Sequence, residues 1–310
     1  MKLLCVLLAV ISVTAPVSAE WLYSVDVNSN RLCRVDPATG DVEIIGPLTG
    51  FDGSISDMEF LGDRLYAVAS IVPHKRLLEL DIHTGAVLSS VIITDKGTPI
   101  TNVAEGLGSD DKGNLLISYW FSGDLTTISG QIGILGLDGA VTFPVQLGRD
   151  MDGLCRRLAG GLFGMDREPP QNANIFFTLT HSPPTSADLI EIPFGPVANG
   201  LDDLTQTRTG LYGLDFATKR AIRFDPVTGA IVSSVPYPPV HAFVEVAAPP
   251  PCRGDADGDR DRDFADITAV LTAFSTPTDP FGLGDADGDG DVDFADITAV
   301  LEVFAVPCTP

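Results

Sequence analysis

Two groups of aspartates near the C-terminus have the residue type and the spacing of calcium ligands. The first group consists of Asp255, Asp257, Asp259, Asp261, Asp263 and Asp266. The second group consists of Asp285, Asp287, Asp289, Asp291, Asp293 and Asp296. Calcium takes about six to eight oxygen ligands, and one type of protein loop supplies them from alternate positions and a final carboxylate at position 12. The spacing therefore predicts two loops that bind two Ca²⁺ ions.

The two loops differ at position 6, where the chain makes a sharp turn that glycine serves best. Gly290 stands there in the second loop, whereas Arg260 stands there in the first. Arg262 also replaces the apolar residue that Val292 provides at position 8. We therefore expect the first loop to bind calcium more weakly than the second.

Each loop leads into a segment with the apolar spacing of an amphipathic helix. The apolar residues stand at i, i+3, i+4 and i+7 in both copies: Ile267, Val270, Leu271 and Phe274, then Ile297, Val300, Leu301 and Phe304. Such spacing places these side chains on one helix face, and we expect the two faces to pack together. The carboxylates of each loop repel one another, so metal binding contributes to folding. The alternative, a disordered acidic tail, does not explain a helix pattern after each loop.

The duplicated segment has no apolar helix before either loop, which distinguishes it from a standard EF-hand. With its repeated D-x-D-G-D…D-F-A-D-I motif it resembles the type I dockerin family over about residues 252–310. The resemblance implies a calcium-dependent module that docks onto a cohesin-type domain, usually in secreted polysaccharide-degrading or accessory proteins. The family's recognition positions fall on Phe264–Ala265 and Phe294–Ala295. Hydroxylated residues are frequent there in the family, so partner identity does not carry over, and extra core contacts are the alternative role for Phe264 and Phe294.

The N-terminal segment, the cysteines and the net charge predict an exported protein that does not bind nucleic acid. Residues 1–19 have the basic start, short apolar run and small-residue end of a secretion signal, so we expect a secreted protein, with the periplasm and the cell surface as alternative locations. Cys252 and Cys308 bracket the C-terminal module and are predicted to pair, while pairings with Cys33 and Cys155 stay open. The net charge of −23 argues against nucleic acid and anionic membranes as partners. No later stretch is apolar for long enough to predict a membrane span.

The larger part of the chain carries a repeated β pattern. A short strand signal recurs at Trp21–Val25, Leu65–Val68, Leu115–Ser118, Leu162–Met165 and Leu211–Leu214. Several copies continue into a second strand and an Asp- and Gly-containing turn, as a hairpin requires. Repeats of this length are typical of β-propeller blades. We therefore predict a mainly β chain: a propeller of five blades over residues 20–246, a proline-rich linker at 247–251 and an α-helical dockerin-like module at 252–310. Six or seven blades and a β-sandwich are the alternatives.

Closure of the predicted ring needs an innermost strand for the first blade. The segment Ala242–Val246 is β-rich and follows the last repeat, so we expect it to pair beside Trp21–Val25. The pattern L-Y…D-P-x-T-G resembles the broad superfamily of NHL, SMP-30-like and quinoprotein-like propellers. That architecture hosts lactonases, lyases, hydrolases and pure binding proteins, so it implies a fold rather than one activity.

One set of acids could give the propeller a chemical function. In each unit a carboxylate lies at or near the presumed innermost strand: Asp57, Glu105, Asp152, Asp202 and Glu245. Converging carboxylates can bind a metal or act as acid and base toward a sugar or lactone. The alternative is that they cap turns, bond neighbouring blades or face water. The sequence contains no other catalytic motif, so it leaves open whether the propeller binds a carbohydrate, hydrolyses a glycan or lactone, or has an accessory role.

Overall fold

The computed structural model describes residues 20–101, 104–110, 112–120, 130–147, 151–168, 173–179, 189–192, 200–278 and 280–308. The expected secretion signal at residues 1–19 lies outside this part of the chain.

The strands of the described residues form five sheets. The first sheet contains β1 (Leu22–Asp26), β2 (Arg31–Val35), β3 (Val42–Pro47) and β22 (Phe243–Ala247). The second contains β4 (Ser54–Leu61), β5 (Arg64–Ile71), β6 (His74–Leu80) and β7 (Val87–Ile92). The third contains β8 (Thr94–Asp95), β9 (Thr98–Pro99), β10 (Ala104–Ser109), β11 (Leu115–Trp120), β12 (Gly130–Leu135) and β13 (Ala140–Gln146). The fourth contains β14 (Gly153–Arg156), β15 (Leu162–Glu168), β16 (Ala173–Leu179) and β17 (Leu189–Ile192). The fifth contains β18 (Thr205–Thr207), β19 (Gly210–Asp215), β20 (Arg220–Phe224) and β21 (Ile231–Pro236).

The chain is mainly β and its sheets are arranged as a propeller, not as the two stacked sheets of a sandwich. Four sheets have the four-stranded form of a blade, and the third carries β8 and β9 beyond its outer strand β13. Each recurring strand signal of the sequence is the second strand of a sheet. The inner strands contact one another around the ring: β4 lies between β22 and β10, and β14 lies between β10 and β18. These contacts bring one edge strand of every sheet to a shared centre.

The last strand closes the ring, as the sequence predicts. β22 pairs antiparallel with β1, with Val25 opposite Val244 and Tyr23 opposite Ala247. Ser24 Oγ donates hydrogen bonds to the carbonyl oxygens of Val244 (2.8 Å) and Glu245 (2.6 Å). The two ends of the propeller chain are therefore held in one sheet, in which β22 is the inner edge strand.

The Asp- and Gly-containing turns also join neighbouring sheets. In the turn after β2, Asp36 Oδ1 accepts a hydrogen bond from the Ala38 amide, and Gly40 adopts a left-handed φ of 79°. A side chain at Gly40 would collide with the carbonyl of Pro236, which belongs to the fifth sheet. Glycine is thus needed both for the turn and for close contact between the first and fifth sheets.

The C-terminal module contains two short helices, α1 (Phe264–Ala273) and α2 (Phe294–Glu302). Its buried core consists mainly of small residues: Ala256, Ala269, Val270, Ala286, Val292, Ala299 and Val300. The expected packing of the helix faces holds for Val270 and Val300. It is wrong for Leu271 and Leu301, which are 59% and 57% exposed. The alanines let the helices approach closely, so the shared face is narrow and the leucines remain at its outer edge.

The cysteines pair as the sequence analysis predicts. Cys252 and Cys308 form a disulfide that joins the two ends of the module. Cys33 and Cys155 are buried, unpaired thiols in two different sheets of the propeller. Neither helix of the described chain is long and apolar enough to cross a membrane.

Candidate calcium loops and an acidic channel

The twin loops fold around their own carboxylates. At position 1, Asp255 Oδ1 accepts a hydrogen bond from the Gly258 amide (2.7 Å), and Asp285 Oδ1 accepts one from Gly288 (2.6 Å). At position 5, Asp259 Oδ1 accepts from the amide of Asp261 (2.9 Å). Backbone amides therefore hold several carboxylates at fixed places in each loop, as a preformed metal site requires.

The final carboxylate of each loop links the loop to its helix. Asp266 Oδ1 accepts hydrogen bonds from the Ala256 and Asp257 amides (2.6 and 3.2 Å), while its Oδ2 accepts from Asp263 (2.7 Å). Asp263 caps the helix in return: its side chain accepts hydrogen bonds from the amides of Ala265 and Asp266, and the bond from Asp266 completes a capping box. The second loop repeats every one of these bonds around Asp296. One buried aspartate thus organises the start of the loop and the start of the helix.

The donor set suits a hard divalent cation. In each loop the carboxylates form two groups of three, within which one oxygen of each residue lies within 4.8 Å of the others. Burial, followed by the charges of neighbouring carboxylates, raises the pKa of Asp257 and of Asp287. A bound cation would relieve that repulsion, and all-oxygen donors with flexible spacing match calcium rather than zinc or copper. The twelve aspartates stay a predicted ligand set for two calcium ions.

The two loops are unequal in the way the sequence indicates. Position 6 has a left-handed backbone in both, with φ of 68° at Arg260 and 93° at Gly290. Only glycine adopts this conformation without steric cost. At position 8, Val292 belongs to the core, whereas Arg262 reaches out and donates to the carbonyl of Val306 (3.1 Å).

The first loop also contacts the propeller, which the sequence did not predict. Arg208, which follows β18, is buried and forms an ion pair with Asp255 (Nη1 to Oδ1, 3.4 Å). Its Nε donates a hydrogen bond to the Phe281 carbonyl (2.6 Å). Glu20 fixes this arginine from the other side by accepting a hydrogen bond from its backbone amide (3.0 Å). One propeller arginine therefore neutralises part of the charge of the first loop.

The module exposes an apolar surface that is the same in both copies. Phe264 and Phe294 are 73% and 75% exposed, so they do not belong to the core. Each ring packs edge-on against one other ring, with centroids 5.0 Å apart: Phe264 against Phe304, and Phe294 against Phe274. With Leu271 and Leu301, they place large apolar side chains in water on both helices.

The centre of the propeller contains a cavity of about 200 Å³ with an acidic wall. Its lining residues lie in or just before the inner strand of each sheet: Ser56 in β4, Glu105 in β10, Asp152 before β14, Asp202 before β18 and Glu245 in β22. Four of the five acids proposed from the sequence therefore meet at one site. The cavity is large enough for several waters or a small polar ligand.

β-bulges direct some of these side chains toward the cavity. The pairing of β4 with β5 slips between Ile55 and Asp57, and that of β10 with β11 slips between Ala104 and Leu107. A bulge adds a residue and turns the local side chains, so Ser56 and Glu105 face the centre. Glu245 lies in the irregular part of β22 and has a left-handed φ of 54°. Such a conformation in a non-glycine residue is often part of a functional site.

Asp57 does not line the cavity, because the bulge gives its place on the wall to Ser56. Asp57 is instead fully buried, where its Oδ2 accepts a hydrogen bond from the Leu107 amide. It lies with Asp203 and Glu245 in a group whose oxygens are within 4.8 Å of one another, close enough to ligate one cation. Sequence reasoning missed Asp203. The only signal for it was the adjacent acid Asp202, since neighbouring residues in an extended chain point in opposite directions.

Burial changes the acidity of this group. Burial, followed by the charges of Asp203 and Glu245, raises the pKa of Asp57 well above its ordinary value. Burial raises the pKa of Asp203 to about 7. Burial, followed by the charges of Asp203 and Asp202, raises the pKa of Glu245 well above its ordinary value. Asp203 Oδ1 and Glu245 Oε2 have no hydrogen-bond partner among the described residues. Protons shared among these acids would lower their repulsion, and such groups are typical of functional sites.

The opposite end of the channel is much narrower. Ala248 and Pro250 of the linker, with Glu59, Ser109 and Arg156, line a space of only about 10 Å³. The linker therefore covers this end on its way to the module. The wider, acidic end contains no linker residue in its lining.

Comparisons with known proteins are distant. No family model and no curated protein sequence matches the chain. Its structure is similar to the nidogen/laminin complex, with 16% identity and a TM-score of 0.47 over 74% of this chain and 81% of that one. It is similar to glutaminyl cyclase from Myxococcus xanthus, with 15% identity and a TM-score of 0.44 over 60% of this chain and 71% of that one. It is also similar to the PQQ-bound aldose sugar dehydrogenase from Streptomyces coelicolor, with 14% identity and a TM-score of 0.44 over 73% of this chain and 81% of that one. These similarities carry no conclusion about function, and the propeller assignment rests on the sheets themselves.

Proposed function

We propose that this is a secreted attachment protein, in which a dockerin-like module binds two calcium ions and docks onto a cohesin-type partner. The observation that carries the proposal is the duplicated loop, in which the same amides hold the same carboxylates around a possible cation position in both copies. We further propose that residues 1–19 are removed on export and that the displayed domain, residues 20–246, is a five-bladed propeller. In that count the sheet containing β8 and β9 is the fifth blade, with an extended outer edge.

The exposed surface of the module supports docking. Phe264 and Phe294 stand at the positions that the dockerin resemblance assigns to recognition, and both are exposed. Soluble proteins seldom repeat large exposed apolar side chains at equivalent positions without a partner. Aromatic residues are also enriched among the residues that dominate binding energy at interfaces. A polysaccharide-degrading assembly is the setting that the resemblance implies.

Binding to a panel of type I cohesin domains tests the docking proposal. We expect at least one cohesin to bind the full chain in calcium and to be released by EGTA. Replacing Phe264 and Phe294 together by Ala should weaken binding by about thirtyfold to a thousandfold, since two anchor residues at about 1–2 kcal/mol each are lost. Leu137→Ala, at an exposed leucine of the propeller, is the matched control. A chain that binds calcium but no cohesin would instead have a calcium-stabilised terminal module without this partner.

The acidic cavity supports a second candidate function, a hydrolase acting on a glycan or lactone. Burial raises the pKa of Glu245, so it keeps its proton to a higher pH than an exposed glutamate and is suited to donate it to a leaving group. Asp152 and Asp202 line the same cavity and are carboxyl groups of the type that activates water. The attachment role does not depend on this activity.

Activity assays on glycans and lactones separate the two candidates. Under the hydrolase proposal, Glu245→Gln and Asp152→Asn each lower kcat by about a hundredfold or more, the usual contribution of general acid–base catalysis. Asp63→Asn, at an exposed acid outside the cavity, should leave kcat unchanged. Equal activity in all four proteins would remove the cavity from the mechanism, and the propeller would then have a binding or accessory role.

A further inference from the structure

A second cavity, of about 280 Å³, lies where the fourth and fifth sheets meet the C-terminal module. Its wall includes Arg157 from the turn after β14, Arg223 from β20 and Arg208. Pro280 of the module borders it. The only acidic residue in the lining is Asp225. Arg208 is already paired with Asp255 of the first loop, so Arg157 and Arg223 are the two guanidinium groups of the wall that have no ion pair among the described residues.

This concentration of positive charge is unusual in a chain with 19 basic and 42 acidic residues. Three arginines elsewhere in the described chain form ion pairs: Arg34 with Glu43 (2.8 Å), Arg64 with Glu79 (3.4 Å) and Arg253 with Glu302 (3.3 Å). Arg157 and Arg223 form no such ion pair with any described residue. Arg157 instead lies over the ring of Phe163, 5.8 Å from its centre.

The one acid in the wall is already engaged. Asp225 Oδ1 accepts hydrogen bonds from the amides of Val227 (3.0 Å) and Thr228 (2.7 Å) and from the Thr228 hydroxyl (2.9 Å). These bonds form the turn between β20 and β21. Its carboxylate therefore stabilises the turn and leaves the arginines without a partner across the cavity.

Buried donors without acceptors mark the same place. Nε of Arg223 and Nη2 of Arg208 are inaccessible to solvent and have no hydrogen-bond partner among the described residues. Arg208 is itself about nine-tenths buried, with 9% of its side chain exposed. Because these nitrogens have no contact with solvent, a ligand in the cavity would meet the other guanidinium nitrogens of Arg223 and Arg157.

We propose that this cavity binds a small organic oxyanion, a carboxylate or a sulfate ester on a body the size of one sugar unit. The guanidinium groups of Arg223 and Arg157 hold the anionic group, because the planar arginine fork matches the geometry of such oxygens. The apolar wall formed by Phe163, Pro226 and Val232 packs against the body of the ligand. The volume is near the lower limit for ligand pockets, which excludes larger molecules. This site is separate from the acidic channel, which would repel the same ligand.

Calorimetric titration of the full chain with three probes tests the proposal. The probes are galacturonate, galactose 6-sulfate and neutral galactose, in calcium and at physiological ionic strength, where charges more than about 8 Å away are screened. We expect saturable binding of at least one charged probe and at least about tenfold weaker binding of galactose. Arg223→Met and Arg157→Met should each weaken the charged probe about tenfold or more, equivalent to one lost charge-assisted bond.

Matched variants separate recognition from folding. Arg64→Met removes an exposed arginine of the second sheet and should leave binding unchanged. Arg223→Lys keeps the charge but loses the fork, so it should bind more weakly than the natural protein and more tightly than Arg223→Met. If the Arg223 variants do not fold, Arg157→Met in its exposed turn and a ligand-induced rise in Tm of the natural protein decide the question. Equal binding of galactose, no binding of either anion, or unchanged affinity in the Arg157 and Arg223 variants would overturn the proposal.

Discussion

Asp203→Asn should stabilise the propeller, although it replaces a fully buried residue. The folded protein raises the pKa of Asp203 from 3.8 to about 7, which corresponds to about 4 kcal/mol of unfavourable interaction in the ionised form. The amide is nearly the same size, can keep the hydrogen bond from the Val246 amide (3.1 Å), and carries no charge beside Asp57. Asp57 remains buried in the variant, so part of the unfavourable interaction can persist. We therefore expect Asp203→Asn to raise the free energy of unfolding by about 2–4 kcal/mol, roughly half to all of the cost of the ionised Asp203.

The effect has a defined pH dependence. Because the folded pKa is raised, the folded protein retains a proton that the unfolded chain has lost between pH 3.8 and about 7. The free energy of unfolding of the natural protein therefore falls as pH rises through this window. At the acid end the carboxyl is protonated in both states and the variant has little advantage, whereas above the window the advantage is complete.

Urea unfolding followed by tryptophan fluorescence measures this effect in the propeller. Both tryptophans, Trp21 and Trp120, lie outside the C-terminal module, so the signal reports the propeller alone. Asp63→Asn, at an exposed acid, is the control and should unfold with the natural protein at every pH. The argument that ionised Asp203 destabilises the folded protein would be refuted by either of two results. Asp203→Asn could be less stable than the natural protein above about pH 7, or the free energy of unfolding could have the same pH dependence in both proteins.

Three other predictions concern the module. Arg260→Gly should tighten calcium binding at the first loop by about 1 kcal/mol, because a left-handed backbone then carries no side chain; calorimetry showing equal or weaker affinity would contradict this. Arg208→Met should also tighten calcium binding at that loop about tenfold, because a positive charge 3.4 Å from Asp255 no longer opposes the ion. Weaker calcium binding in this variant would show instead that the arginine holds the loop in shape. Replacing Cys252 and Cys308 together by Ser should destabilise the calcium-loaded module by about 4 kcal/mol in the chain-entropy account, and an unchanged melting profile by circular dichroism would rule that out.

The sequence predicted those parts of the fold that depend on local pattern. The five strand signals, the closing strand beside β1 and the loop–helix units all follow from short-range spacing that has a direct backbone meaning. The convergence of Glu105, Asp152 and Asp202 with Glu245 also follows, since each acid precedes or lies in an innermost strand.

The remaining features depend on irregularities that spacing does not reveal. A bulge in β4 moved Ser56 to the cavity wall and Asp57 into the interior, and no residue pattern marked that slip in pairing. Asp203 was missed for the same reason, because its burial depends on neighbouring sheets. Leu271 was assigned to the core on periodicity alone, whereas the size of the alanines opposite it set the width of the helix contact. The pairing of Arg208 with the first loop joins residues far apart in sequence, which no local rule predicts.

Calorimetric titration of the full, metal-depleted chain with Ca²⁺ tests the central claim most directly. The account predicts two bound calcium ions per chain, the tighter at the second loop, and one after Asp285→Ala, which removes a position-1 ligand of that loop. Retention of both ions by Asp285→Ala, or the absence of any calcium-dependent heat in the natural protein, would contradict the assignment of these loops and the attachment role built on it.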